Sequence, residues 1–413
     1  MRILIWATHP QFDILALAAH LDHCADVEML IVARGLAAFR AGPFARARPM
    51  RAPMLDFADP TVAARVRAFG ADVAIADNRL PPRGAAPALV WTGHGLGWKN
   101  AGPADLWTLR RGIQHFTGVD PTGPNPHALV LCHGAGDRAW RIDKWRFHPD
   151  VCRLIGMPFA DLMADPPYDC AALQSDYRID LARKTVLLNI TWHYGGVFAQ
   201  PAGVLARLRR LVDPALGRDR DFAFVEELAA AVAERDANLL FCLHERGRYA
   251  PAMVDRFTAI AGRHRNVELK FKDERPDNLA DLLIADVMVS NYSSFITPFY
   301  LRGRPAIHIR PVRQPDMRFD FAMLTFAGLW ARRAAADRGA YMLSLDDTGG
   351  PIVDTAEAAI GAVLHGLDHP DDGIAPTRAW LDRHLHRPPG GASANLLGEI
   401  RALVARSREA RRP

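Results

Sequence analysis

Cysteine is scarce in this 413-residue sequence, and the five present (Cys24, Cys132, Cys152, Cys170 and Cys242) are scattered with no C-x-x-C spacing. That excludes a disulfide framework and a zinc site of ordinary ligand spacing, and it suits a reducing, cytoplasmic compartment. Long hydrophobic runs are missing too. The first residues are apolar for only five positions after one arginine, too short for a secretion-signal core, and no run reaches bilayer-spanning length. The expectation is a cytoplasmic protein, with peripheral contact at the inner face of the membrane left open. There are no heptads, no repeat of solenoid period and no low-complexity stretch. Charge is mixed: the formal net charge is +5, too dilute for the basic stripe or arm of a nucleic-acid binder. The excess, mostly arginine, suits the handling of anionic nucleotides. Its densest segment, residues 401–412, reads as a solvated helix face. The histidines near the end, His369, His384 and His386, have no metal-ligand spacing, and no metal site is expected.

What is present is an ordinary globular composition, 49% hydrophobic and 23% charged, on a chain longer than a single core usually grows. Short β-branched apolar runs alternate with amphipathic stretches, the pattern of βαβ units and a parallel sheet. Strands are predicted at residues 2–7, 27–33, 71–76, 88–91, 128–132 and 153–155, with a helix at 15–21 and a break at Asp165-Pro166-Pro167. A second set follows at 184–190, 238–243, 267–270, 287–290 and 306–309, with helices at 222–233 and 277–284. Residues 376–408, interrupted at Pro388-Pro389-Gly390-Gly391, read as terminal helices. The fold class is therefore α/β, with two Rossmann-like domains at residues 1–170 and 171–370 facing across a cleft, and a helical segment at 371–413. Ligands of open parallel sheets bind beyond the carboxyl ends of the strands, so the loops there matter most.

Four such loops can carry chemistry. In the first, after an apolar strand, Gly93, Gly95 and Gly97 surround His94, and Lys99 follows. Glycines allow close backbone approach, a histidine titrates near neutrality as a general base needs to, and a lysine can meet a phosphate. A glycine turn with an incidental histidine is the bland alternative. In the second, Asn291, Tyr292, Ser293 and Ser294 precede a helix start, where free amides and hydroxyls bind phosphate; two serines there are also ordinary capping residues. In the third, His244 ends a buried strand with Arg246 and Arg248 close behind, placed to neutralise a diphosphate, unless local backbone satisfies the histidine. The fourth, Asn189 to Gly196 with Thr191, Trp192 and His193, is a strand followed by a glycine turn that fits a ligand loop at the interdomain cleft, with Trp192 equally able to be core. A fifth loop, His133 to Gly136, lacks the full dinucleotide fingerprint and is rated lower.

Taken in chain order, these motifs resemble the CDP-glycerol glycerophosphotransferase family of teichoic-acid and capsule polymer synthesis. His94 to Lys99 resembles the family's H-G-x-x-x-K loop, and Gly156 to Asp161 is similar to its G-x-P-R-x-D segment. Thr191 to His193 looks like the loop opening its second domain, and Leu243-His244 resembles its L-H-P. The longest match, Asp277 to Ser294, resembles D-x-x-x-L-L-x-x-S-D-x-x-I-T-D-Y-S-S. The chain departs from the family at Phe159, His193, Glu245, Asp281, Ala285, Asn291 and Pro298. The resemblance implies the GT-B architecture, an acceptor-side first domain and a nucleotide-donor second domain. It implies His94 as base and His244 as the group that stabilises the leaving nucleotide. Gly95, Lys99, Thr191, His193, Arg246, Asn291, Ser293 and Ser294 are the expected substrate-binding positions. The expected partners are a nucleotide-activated donor and a polymer or lipid-linked acceptor, with no nucleic acid and no cofactor. A GT-B sugar transferase, a UDP-sugar 2-epimerase and a non-catalytic nucleotide-binding subunit of a polymer-assembly complex are the rival readings.

Overall fold

The computed structural model describes residues 1–93, 95–98, 103–190, 197, 219–310 and 342–412. Among these, strands form two parallel sheets. The first contains β1 (Arg2–Trp6), β2 (Glu28–Ala33), β3 (Met54–Asp56), β4 (Val73–Ala76), β5 (Leu89–Trp91), β6 (Ala128–Cys132) and β7 (Cys152–Leu154), in the order β3-β2-β1-β4-β5-β6-β7. The second contains β8 (Thr185–Asn189), β9 (Asn238–Leu243), β10 (Val267–Phe271), β11 (Val287–Ser290), β12 (Ala306–Ile309) and β13 (Ile352–Val353), in the order β10-β9-β8-β11-β12-β13. The α/β class and the two Rossmann-like sheets are as the sequence predicts. Strands β3 and β13, three and two residues long, are additions at the sheet edges.

The central strands are buried along nearly their whole length because helices cover both sheet faces, which is why they read as continuous apolar runs rather than alternating ones. Register sets the site. Asn189 at the end of β8 lies opposite Cys242 on one side and Ser290 on the other, so the chain leaves these three strands at one common edge.

One core continues from domain to domain: Leu15, Phe44, Trp98 and Met157 of the first pack in the same cluster as Leu282, Phe295 and Tyr300 of the second. The carboxyl-terminal helix Ala392–Glu409 returns to the first domain, where Leu396, Ile400 and Leu403 join Ile3, Ile5 and Val90. Its start is capped by Asp161, whose carboxylate accepts from the backbone N–H of Ala392 (3.1 Å) and Ser393 (2.7 Å). Gly391 sits at φ +94, where any side chain is strained, and a Cβ there would stand 2.8 Å from the capping Asp161 carboxylate. Arg401 and Arg408 of this helix pair with Asp26 and Asp72 at its exposed side. Among the described residues no helix is long and apolar enough to cross a membrane.

Candidate functional site

In each sheet the strand order reverses beside the first strand of its domain, between β1 and β4 and between β8 and β11. Crevices at such switch points are where doubly wound sheets bind ligands. Residues just beyond the two meet where the Phe12 ring packs on Phe295.

From the first domain comes the loop after β1. Asp77, following β4, accepts from the Thr8 backbone N–H (3.0 Å) and hydroxyl (3.1 Å), which pins that loop. Burial raises the Asp77 carboxyl despite those bonds. The pinned loop then reaches the second domain twice. Gln11 donates to the Pro276 carbonyl at 2.9 Å, and His9 Nε2 lies 3.0 Å from Glu245 Oε1. Glu245 also takes Arg248 Nε at 2.5 Å. Its hydrogen bond with His9, helped by Arg248 and opposed by burial, holds this carboxyl well below the usual range. Phe12 is forced to φ +48, a conformation uncommon for a bulky residue, and its ring stands edge-on to Phe159 and Phe295, at 5.5 Å from each.

The glycine loop after β5 meets the serine loop after β11. Gly93 and Gly95, on either side of position 94, both have positive φ (+73 and +87). Gly97 lies against Ser294 so closely that a Cβ there would be 3.1 Å from the serine Cβ. Thr297 donates its hydroxyl to the Leu96 carbonyl at 2.9 Å. Trp98, fully buried, packs edge-on against Tyr292 at 5.5 Å and donates to the Asp347 carbonyl at 2.9 Å. Tyr292 is itself at φ +61. Two of the strained non-glycine residues thus flank the cleft, where strain concentrates when the surroundings over-determine a backbone.

Between these loops lies a small cavity lined by Phe12, Asn189, His244, Lys272, Ser293 and Ser294, with Lys270 and Asp281 at its wall. The structure therefore brings together His244, expected to act on the leaving nucleotide, and two of the expected binding residues, Ser293 and Ser294, and sets Gly95 beside them. Asn291 precedes the serines without lining the cavity. Arg246 is directed elsewhere: its Nε pairs with Glu274 at 2.7 Å and its guanidinium stacks on Phe271 at 4.0 Å. His94, Lys99, Thr191 and His193 lie outside the described residues.

The lower-rated loop at His133 is a structural element. His133 is completely buried between Asp13 (2.8 Å) and Asp137 (3.4 Å), and Asp137 also holds Arg141 at 2.7 Å. The His384 carbonyl closes over Gly134, 1.8 Å from where a Cβ would lie. Phe159, where the family has arginine, is core packing beside Phe12. Three cleft residues are given no role by the sequence: His9, Glu245 and Lys272. His9 and Glu245 acquire meaning only as partners across 236 positions of chain. Lys272 does carry a local signal, a cation just beyond a strand end, but β10 runs to Phe271, one residue past the predicted end. Among the described residues no cluster of three or more metal-ligating side chains occurs.

Two doubly wound parallel domains, facing loops at their switch points and a terminal helix crossing back to the first domain define the GT-B architecture. Within that class the chain is similar to a variant of the wall teichoic acid polymerase TagF, with TM-score 0.64 and 12% identity over 99% of this chain and 90% of that one. It is also similar to the UDP-GlcNAc 2-epimerase of Neisseria meningitidis bound to UDP-GlcNAc, with TM-score 0.56 and 11% identity over 97% of this chain and 99% of that one. No family model and no curated protein matches the sequence. At these identities the likeness shows the fold.

Proposed function

We propose that the chain is a transferase that moves a glycerol-phosphate or related group from a CDP-activated donor to an acceptor hydroxyl in cell-surface polymer biosynthesis. The observation that carries this reading is the seating of the Gly95–Trp98 loop on Ser294 and Thr297. It sets a histidine-bearing glycine loop of one domain against a serine pair of the other, the juxtaposition that the motif resemblance calls for. TagF, of like fold, is a wall teichoic acid polymerase.

In this reading the acceptor oxygen attacks the β-phosphorus of the donor. The bond from that phosphorus to the bridging oxygen breaks, CMP leaves, and the acceptor proton passes to His94. General-base help of this kind is worth about 10²–10⁴ in rate. Ser293 and Ser294 hold phosphate oxygens, and His244, on the same cavity wall, offsets charge on the departing nucleotide. Preorganised donors of this sort supply the larger share of such catalysis. The donor is a substrate, and the reading needs no separate cofactor.

The test is His94→Ala with CDP binding measured alongside turnover. A fall in turnover of about 10²–10⁴ with CDP affinity intact supports the base; equal losses in both make His94 a positioning residue. A second reading, transfer or 2-epimerisation of a nucleotide-linked sugar, gains support from Glu245, a carboxylate at the cleft where the family has proline, and from the epimerase of like fold. Thermal shifts separate the two: cytidine nucleotides stabilise the protein under the first reading and UDP compounds under the second. Nucleotide binding with no turnover of any donor would favour the non-catalytic subunit.

A further inference from the structure

The cavity beneath Ser293 and Ser294 is too small for a nucleoside. Its volume of about 40 Å3 admits on the order of three water molecules, at roughly 10–15 Å3 each, or a single phosphoryl group. Its two lysines are not equivalent. Lys270 has its charge spent: its Nζ lies 2.5 Å from Asp281 and 2.6 Å from the Asp277 carbonyl. Asp281, the acid on the cavity wall, is occupied by that lysine and by the Tyr177 hydroxyl.

Lys272 is different. Its backbone N–H donates to the Leu243 carbonyl at 3.1 Å, but among the described residues its ammonium has no hydrogen bond and no ion pair; the ammonium lies over the face of the Phe12 ring, 5.7 Å from the centroid. The charged groups around it are Glu245, Arg248, Asp77 and Lys270. Glu245 is engaged by His9 and Arg248, and Asp77 by Thr8. A partly buried ammonium without a counter-ion is unfavourable, and an anion beside it removes the cost. The neighbouring serine hydroxyls and the Asn189 amide supply donors for the same anion.

We propose that Lys272 is the phosphate-binding cation of this cleft, holding a non-bridging oxygen of one donor phosphate in the cavity with Ser293 and Ser294. The inference rests on the nucleotide-donor reading above, and Lys272 lies outside every motif that carries the family resemblance. It gives the cleft a cation where the family's arginines are replaced by Phe159 and His193. Burial pulls the Lys272 amine down to about 8, with Glu245 pulling the other way. The ammonium form therefore binds the anion below that pH, and affinity falls as the amine deprotonates above it.

The test is calorimetric titration of inorganic pyrophosphate, CDP and cytidine into the wild-type protein, Lys272→Gln and Lys272→Arg at pH 7 and pH 9. At pH 7, Lys272→Gln is expected to bind pyrophosphate and CDP at least about 10-fold more weakly, with cytidine unchanged. Lys272→Arg keeps its affinity and lacks the additional fall toward pH 9 that the wild type shows, a signature that a packing role would not produce. Equal pyrophosphate affinity in the wild type and Lys272→Gln overturns the assignment. CDP bound equally by both keeps the nucleotide reading and removes Lys272 from it. Lys272-dependent pyrophosphate binding with no CDP binding does the reverse.

Discussion

Replacing Asp277 by alanine should loosen the junction between the two domains. This buried carboxylate is the N-cap of the helix Asn278–Ile284, accepting at 3.1 Å from the backbone N–H of both Leu279 and Ala280. It also accepts from the Phe44 N–H of the first domain at 3.0 Å and from the Tyr168 hydroxyl at 2.9 Å. Losing an N-cap costs about 1 kcal/mol. Two buried donors left without an acceptor cost about 1–3 kcal/mol each. Partial relaxation and water entry reduce that sum, so a loss of about 3–5 kcal/mol is expected. For a unit of 150–250 residues this lowers Tm by roughly 6–20 °C, measured by differential scanning calorimetry. Asp277→Asn keeps an oxygen for the cap but presents an amide to the Phe44 N–H, so it should lose about half as much. A loss below about 1 kcal/mol for the alanine variant would refute the view that this carboxylate ties the domains together.

Two further perturbations probe the cleft and its support. Gly97→Ala places a Cβ 3.1 Å from that of Ser294, an overpacking penalty of about 1 kcal/mol. It should separate the two loops by a few tenths of an ångström, lowering turnover more than Tm; unchanged kcat/KM would remove this contact from the site. His133 gives a pH dependence. Burial alone would depress its imidazole, but hydrogen bonds to Asp13 and Asp137 raise it to about 9, above the ordinary 6.5. Its stabilising contribution is thus complete below pH 6.5 and lost as the pH rises through 9, at most about 3 kcal/mol. Wild-type Tm should fall over that interval more steeply than that of His133→Gln; parallel curves would contradict the charged pair.

The sheets were legible because each central strand is an apolar run bounded by glycine, proline or aspartate. Strands β3 and β13 are too short to show as runs, and they exist only because a longer neighbour offers its edge. The terminal helix was visible as a helix, yet nothing local says that Leu396 and Ile400 would pack on β1 rather than on the second domain. The cleft was half legible. Strand-end motifs announce His244, Ser293 and Ser294, since such loops carry their signal in a few adjacent residues. Phe159 and Glu245 read only as departures from a family pattern; in three dimensions one fills the core beside Phe12 and the other closes the cleft onto His9. Such roles depend on partners in the opposite domain, and no local spacing encodes them.

The central claim is transfer of a phosphoryl-linked group by an attack that releases CMP. Phosphorus NMR of CDP-glycerol incubated with the protein and a hydroxyl acceptor tests it directly. The pyrophosphate resonances are expected to give way to CMP and a new phosphodiester in equal amounts, both suppressed in His94→Ala. Release of a nucleoside diphosphate from a sugar donor, with CDP-glycerol untouched, would contradict it.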